Sequence, residues 1–185
     1  MRSRPSLALI LALSLAAPLL AGAEGKRFYG VAAGTTFAND PAEQMGVALS
    51  TSVAMPVGDD GAQSLVWARG KLLALFTGDS WAVVPSLMGS ISGRLGPIEL
   101  SLEGGFHIFG LTHYAEQTNF SIFGVGGGGG LMFWPSESWR FGVRGEVSWL
   151  PSSFSSPVDD PAVDASHSFL YISVLFSVEL LADFD

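Results

Sequence analysis

The chain contains no cysteine among its 185 residues. That excludes a disulfide framework, a thiolate metal site and a lipid-bearing cysteine behind an export signal, so any hold on a membrane must come from the fold. Charge is scarce as well. Only 14% of residues are Asp, Glu, Lys or Arg, against about a quarter in soluble domains. Bases are scarcest: nine against seventeen acids, for a net charge of −8. Phosphate neutralisation needs a basic surface, which excludes nucleic acid as a partner. Beyond residue 23 no stretch offers the run of about 20 apolar residues that a spanning helix requires. Yet 48% of the chain is hydrophobic, so that content must be laid out on another period.

What is present begins with Arg2 and Arg4, an apolar run from Leu7 to Leu20, and the small-residue site Ala21-Gly22-Ala23. This is the layout of a cleaved secretory signal. The expected organisation is a signal peptide at 1–23 and a single domain at 24–185. Cleavage after Ala23 removes two arginines and no acid, which takes the net charge to −10 and leaves 162 residues. That length suits one barrel of about eight strands, at roughly 9–11 residues per membrane crossing plus turns.

Period-2 alternation recurs about eight times, with turn signals between the runs. The last run is clear, with Leu170, Ile172, Val174, Phe176, Val178 and Leu180 on one face and Phe169, Tyr171, Ser173, Leu175, Ser177 and Glu179 on the other. Near Lys26 to Thr36 the bulky residues are few. Met45 to Met55 alternates cleanly. Leu65 to Phe76 is apolar on both faces, and Arg69 and Lys71 assign Val66, Ala68, Leu72, Ala74 and Phe76 to the outside, because a basic residue on a lipid face costs about 2–4 kcal/mol at the midplane. Trp81 to Ser92 contains Pro85, which removes a ladder donor and marks a bulge. Ile98, Leu100, Leu102, Phe106 and Ile108 oppose Glu99, Ser101, Glu103, Gly105 and His107. A sixth run, from Phe120 to Trp134, holds the glycines Gly126 to Gly130. In the seventh, Phe141, Val143, Val147 and Trp149 oppose Arg140, Arg144, Glu146 and Ser148.

With the N-terminus inside, the outer connections are 37–43, 77–80, 111–119 and 151–166, three of them long, whereas 93–97 and 135–138 on the other side are short. Transmembrane barrels show this asymmetry. Trp81 and Trp149 fall at outer strand ends and Trp134 and Trp139 flank an inner turn, where interfacial girdles lie. The expected fold is therefore all-β: an antiparallel up-and-down transmembrane β-barrel of about eight strands.

On these residues the whole of 24–185 resembles the small eight-stranded outer-membrane proteins, the group of the OmpA transmembrane domain, OmpX and OmpW. The resemblance implies a monomer in the bacterial outer membrane, embedded in lipid and lipopolysaccharide and delivered by the barrel-assembly machinery. It implies a structural, surface-interaction or adhesion role, with the loops free for an extracellular partner. One departure stands out. Such barrels end on a strand with an aromatic last residue, and here Leu181-Ala182-Asp183-Phe184-Asp185 follows the alternating run.

The inward set contains Arg69, Lys71, Glu99, Glu103, Arg140, Arg144, Glu146 and Glu179. Four bases and four acids suit a lumen that side chains fill, and these eight are expected to form a barrel-interior charge network. Glu99 and Glu103 lie roughly 13 Å apart along one strand, too far for a catalytic pair, whereas Glu103 is placed to meet a neighbour such as Arg144. No cofactor is implied, and His107, His113 and His167 show no metal-ligand spacing. The lipid A deacylases of this scaffold place a histidine and a serine two apart on one strand face. In Ser166-His167-Ser168 each serine is adjacent to the histidine and so on the opposite face, and no enzyme is expected. Gly124 to Gly130 contains G-x-G-x-x-G, but no helix follows and no nucleotide site is implied. Two other functions stay open: a narrow pore or transporter for small or hydrophobic solutes, and a soluble exported lipocalin-like ligand-binding barrel.

Overall fold

The computed structural model describes residues 25–38, 44–57, 65–78, 80–114, 117–121, 123–151, 154–156 and 168–184. The signal peptide expected at 1–23 and the segment 157–167 lie outside them. Eleven strands are found among the described residues: β1 (Gly25–Ala38), β2 (Gln44–Pro56), β3 (Val66–Thr77), β4 (Ser80–Leu95), β5 (Ile98–His107), β6 (Gly110–Tyr114), β7 (Gln117–Ser121), β8 (Gly124–Phe133), β9 (Trp139–Leu150), β10 (Phe154–Ser156) and β11 (Phe169–Phe184). Each pairs antiparallel with its neighbours in the order β1, β2, β3, β4, β5, β8, β9, β11. The ring closes where β11 returns to β1, from Gly25 opposite Phe184 to Ala38 opposite Tyr171.

The other three strands lengthen this ring rather than add to it. β6 and β7 carry the β5–β8 register outward, from His107 opposite Gly124 to Gly110 opposite Ser121. β10 extends β9 in the same way, with Phe154 opposite Phe120. The barrel has eight staves, three of them interrupted near one rim. The Pro85 irregularity lies on the opposing stave. Between the pairs Val83–Leu111 and Ser86–His107, β4 contributes two residues and its partner three, Ile108 to Gly110. The extra residue forms the bulge, and the Ile108 N–H donates to the Pro85 carbonyl at 2.9 Å.

Alternation decides the facing, because successive strand residues point to opposite sides. Leu100 is 64% exposed and its neighbour Glu99 4%. Around the barrel Val31, Val47, Leu87, Ile91, Phe106 and Val174 are exposed, whereas every charged residue of the inward set is buried. A water-soluble barrel has the reverse arrangement. On β3 the outward assignment agrees with the exposure of Val66 and partial exposure of Ala68, Leu72 and Phe76. Ala74 is buried, standing between Leu49 and Val83 in register.

Four sequence expectations change. The connection 111–119 is mostly strand, β6 and β7, and β10 lies inside the stretch 151–166 expected to be a long outer connection. β11 continues through Phe184, so the residues after Leu180 belong to the strand and Phe184 closes the pairing with Gly25. Trp134 is not a girdle residue. It is buried and points into the barrel, while Trp139 and Trp149 remain outside and Trp139 stacks on Phe141 at 5.4 Å.

Candidate functional site: an ion-paired lumen

Three layers fill the barrel from the rim that holds both strand ends upward. The first is aromatic. Phe28, at the start of β1, meets Trp67 and Trp134 edge-on at 5.4 and 5.3 Å, and Ala54 and Leu181 complete the cluster. The Arg140 guanidinium lies 4.2 Å from the Phe28 ring centre and 5.1 Å from that of Trp134, so the aromatic faces carry part of the solvation of a charge removed from water.

The second layer is ionic, and all eight residues of the sequence-derived set stand in it. Glu179, on β11 and 0% exposed, is its hub. Its Oε1 accepts from Arg69 Nη1 at 2.7 Å and from Arg144 Nη2 at 2.7 Å, and its Oε2 accepts from Arg140 Nη2 at 2.6 Å and Nε at 2.9 Å. Glu99 receives Arg140 Nη1 on both oxygens at 2.9 and 2.7 Å, and the Trp134 indole N–H at 2.7 Å. Glu103 takes Arg144 Nη1 at 3.2 Å and faces Lys71 at 3.7 Å. Lys71 in turn pairs with Glu146 at 2.8 Å. Four bases and four acids thus form one connected, neutral cluster. A buried ion is tolerable only when paired and hydrogen-bonded, and the short charge-assisted bonds at Glu179 meet that condition.

Glycine makes the room. A Cβ on Gly30 would stand 3.0 Å from Glu179 Cγ, and one on Gly130 would stand 3.2 Å from Arg144 Cγ. On Gly128 it would run into the Gly145 carbonyl. The run in β8 is therefore an inner wall without side chains against which long charged groups lie.

The third layer, toward the other rim, is apolar: Leu73, Leu75, Val84, Leu150, Phe169, Tyr171 and Leu175 pack together with small alanines. Between it and the ions lie polar pairs that the sequence did not single out. Ser173 Oγ donates to Thr36 Oγ1 at 2.9 Å. Ser86 Oγ is 2.7 Å from His107 Nδ1. The two residues are 21 apart in sequence, and only the β4–β5 register, which sets Ser86 opposite His107, brings them together. As chemistry this is a serine beside a base. It is fully enclosed, however: His107 is 0% and Ser86 3% exposed. No group of three or more metal-ligating side chains occurs among the described residues. Of Ser166-His167-Ser168, only Ser168 falls within them.

No protein-family model matches the chain, and neither does any curated protein. Solved structures do. Neisserial surface protein A superposes with a TM-score of 0.64 at 9% identity, over 85% of this chain and 99% of that one. The fold is that of the small outer-membrane barrels. Ail, the attachment invasion locus protein of Yersinia pestis, follows with a TM-score of 0.52 at 13% identity, over 86% and 100% of the two chains. The outer-membrane enzyme PagL gives 0.52 at 10% identity, over 80% and 97%. At such identities the likeness is one of fold, and one scaffold hosts unrelated functions.

Proposed function

We propose that the chain is an integral outer-membrane protein, exported by the signal peptide at 1–23, whose domain 24–185 acts through its surface and neither catalyses a reaction nor holds an open pore. The observation that carries this reading is the inverted barrel: a belt of exposed Val, Leu, Ile and Phe around a lumen closed by a neutral ion cluster. Lipid and the acyl chains of lipopolysaccharide fit that belt. The outer connections 39–43, 78–79, 115–116 and 157–168 contain acids and no Lys or Arg, so phosphate headgroups are not held there by direct ion pairs. The role left to that rim is contact with an extracellular partner, as the name of the attachment protein Ail suggests for a related fold. The chain acts as a monomer that reaches the membrane through the barrel-assembly machinery.

The alternatives draw less support. A lipocalin-like barrel needs its apolar face inside and its charges outside, the opposite of the facing here. A serine hydrolase needs Ser86 within reach of substrate, and the apolar layer above it leaves no approach.

Two measurements test the reading. Fractionation is expected to recover the mature chain in the outer membrane, with faster gel migration unheated than boiled; recovery in the soluble periplasm would sink the proposal. In planar bilayers the purified protein is expected to show no stable porin-like conductance, because about eight strands enclose a space that side chains fill, whereas aqueous channels take roughly 16–18. Steady conduction at the level of a trimeric porin would move the transport reading to first place.

A further inference from the structure

The ion cluster is not packed solid. Beside it lies a cavity with about 10 Å³ open to the centre of a water-sized sphere, bounded by Ala32, three serines, Arg69, Lys71, Arg144 and Glu146. Three buried atoms of these residues have no hydrogen-bond partner: Nε of Arg69, Nε of Arg144 and Oε2 of Glu146. Arg69 Nε has Glu103 Oε2 at 3.6 Å, beyond hydrogen-bond reach. Glu146 Oε2 stands 2.8 Å from Lys71 Nζ as an ion pair without hydrogen-bond geometry.

We propose that this cavity is a binding site for one water molecule, a fixed part of the barrel interior. The unmet groups are two donors and one acceptor. Water accepts two hydrogen bonds and donates two, so a single molecule satisfies all three groups and keeps one hydrogen for a serine hydroxyl. A halide ion of similar size would accept from both arginines, but it would repel Glu146 and leave one uncompensated negative charge in a cluster that is already neutral. The volume agrees, since a buried water needs roughly 10–15 Å³ by this measure and two to four polar partners. The water links Glu146 to the arginines around Glu179 by hydrogen bonds, adding to the ion-pair path that runs through Lys71. Solvent held at a single point in this way is compatible with the closed lumen proposed above, whose own test is conductance.

The test is a crystal structure of the full mature chain grown from sodium bromide. The expected result is one peak within hydrogen-bond distance of Arg69 Nε, Arg144 Nε and Glu146 Oε2, with no anomalous signal. An anomalous bromide peak, or no peak, overturns the proposal. A second readout is Ala32→Val, which fills the cavity. Expulsion of a needed water is expected to lower the urea midpoint of unfolding, whereas an unchanged or raised midpoint, as filling a dry void gives, counts against the site.

Discussion

Replacing Glu179 with glutamine is expected to destabilise the barrel by about 3–5 kcal/mol, the range seen when one partner of a buried ion pair is removed. The change is nearly isosteric, so packing is kept, but the charge is lost and one of the two accepting oxygens becomes a donating amide nitrogen that cannot receive a guanidinium. Three guanidinium groups then face one another around an amide: Arg140 retains Glu99, Arg144 retains Glu103 at 3.2 Å, and Arg69 keeps the 3.6 Å contact with Glu103 and a 3.0 Å hydrogen bond to the Ser52 hydroxyl. Urea unfolding in detergent or bilayers reads the effect, and the fluorescence of Trp67 and Trp134, which pack beside the cluster, reports on the lumen itself. Glu137→Gln, in the exposed connection between β8 and β9, serves as the control and is expected to change nothing. Equal midpoints for the two variants would show that the cluster is not held by Glu179.

The second large effect is expected on the outer surface. Val174 is 54% exposed, with Gly145 and Thr35 on either side in register and Ile172 and Phe176 beyond it on the same face. None of these offers a carboxylate, so Val174→Arg sets an unpaired cation against hydrocarbon at a cost of about 2–4 kcal/mol near the midplane. Val174→Leu is expected to be neutral. The folded fraction after refolding into bilayers checks both, and an arginine variant that assembles as well as the leucine variant would mean that this face does not meet lipid.

Much of this arrangement is legible in the sequence because a membrane barrel writes its facing into every second residue. In β5 the charges fall on one parity and the large aliphatics on the other, in β11 the same holds apart from Leu175 and Leu181, and on β3 two bases suffice to choose between two apolar faces. What the sequence does not encode is which strands lie across the lumen from one another. That is why the inward charges are readable as a set, while the role of Glu179 as hub, and its contact with Arg69 across β1 and β2, are not. Trp134 reads as a girdle residue for a related reason: beside a turn, a tryptophan that faces lipid and one that caps the lumen look alike in sequence. β6 and β7 escaped because Thr, His, Gln and Asn give little apolar contrast. The Ser86–His107 pair depends on a register that only the folded hairpin supplies.

The closure of the ring has a consequence for how the molecule is made. β1 and β11 are the first and last strands, so the seam joins the residues farthest apart along the chain, and such contacts form late because the intervening loop must be ordered first. Until then two long edges stand open, each a template for wrong pairing. Glu179 rides on β11, while the arginines it neutralises wait on β3 and β9. An unclosed intermediate in which β11 has not docked therefore carries an excess of positive charge in its half-formed interior. Docking the last strand completes the hydrogen-bond ladder and the charge balance in one step, so the seam works as a latch with an electrostatic bolt, and a barrel missing that carboxylate should fail at closing before it fails at staying closed.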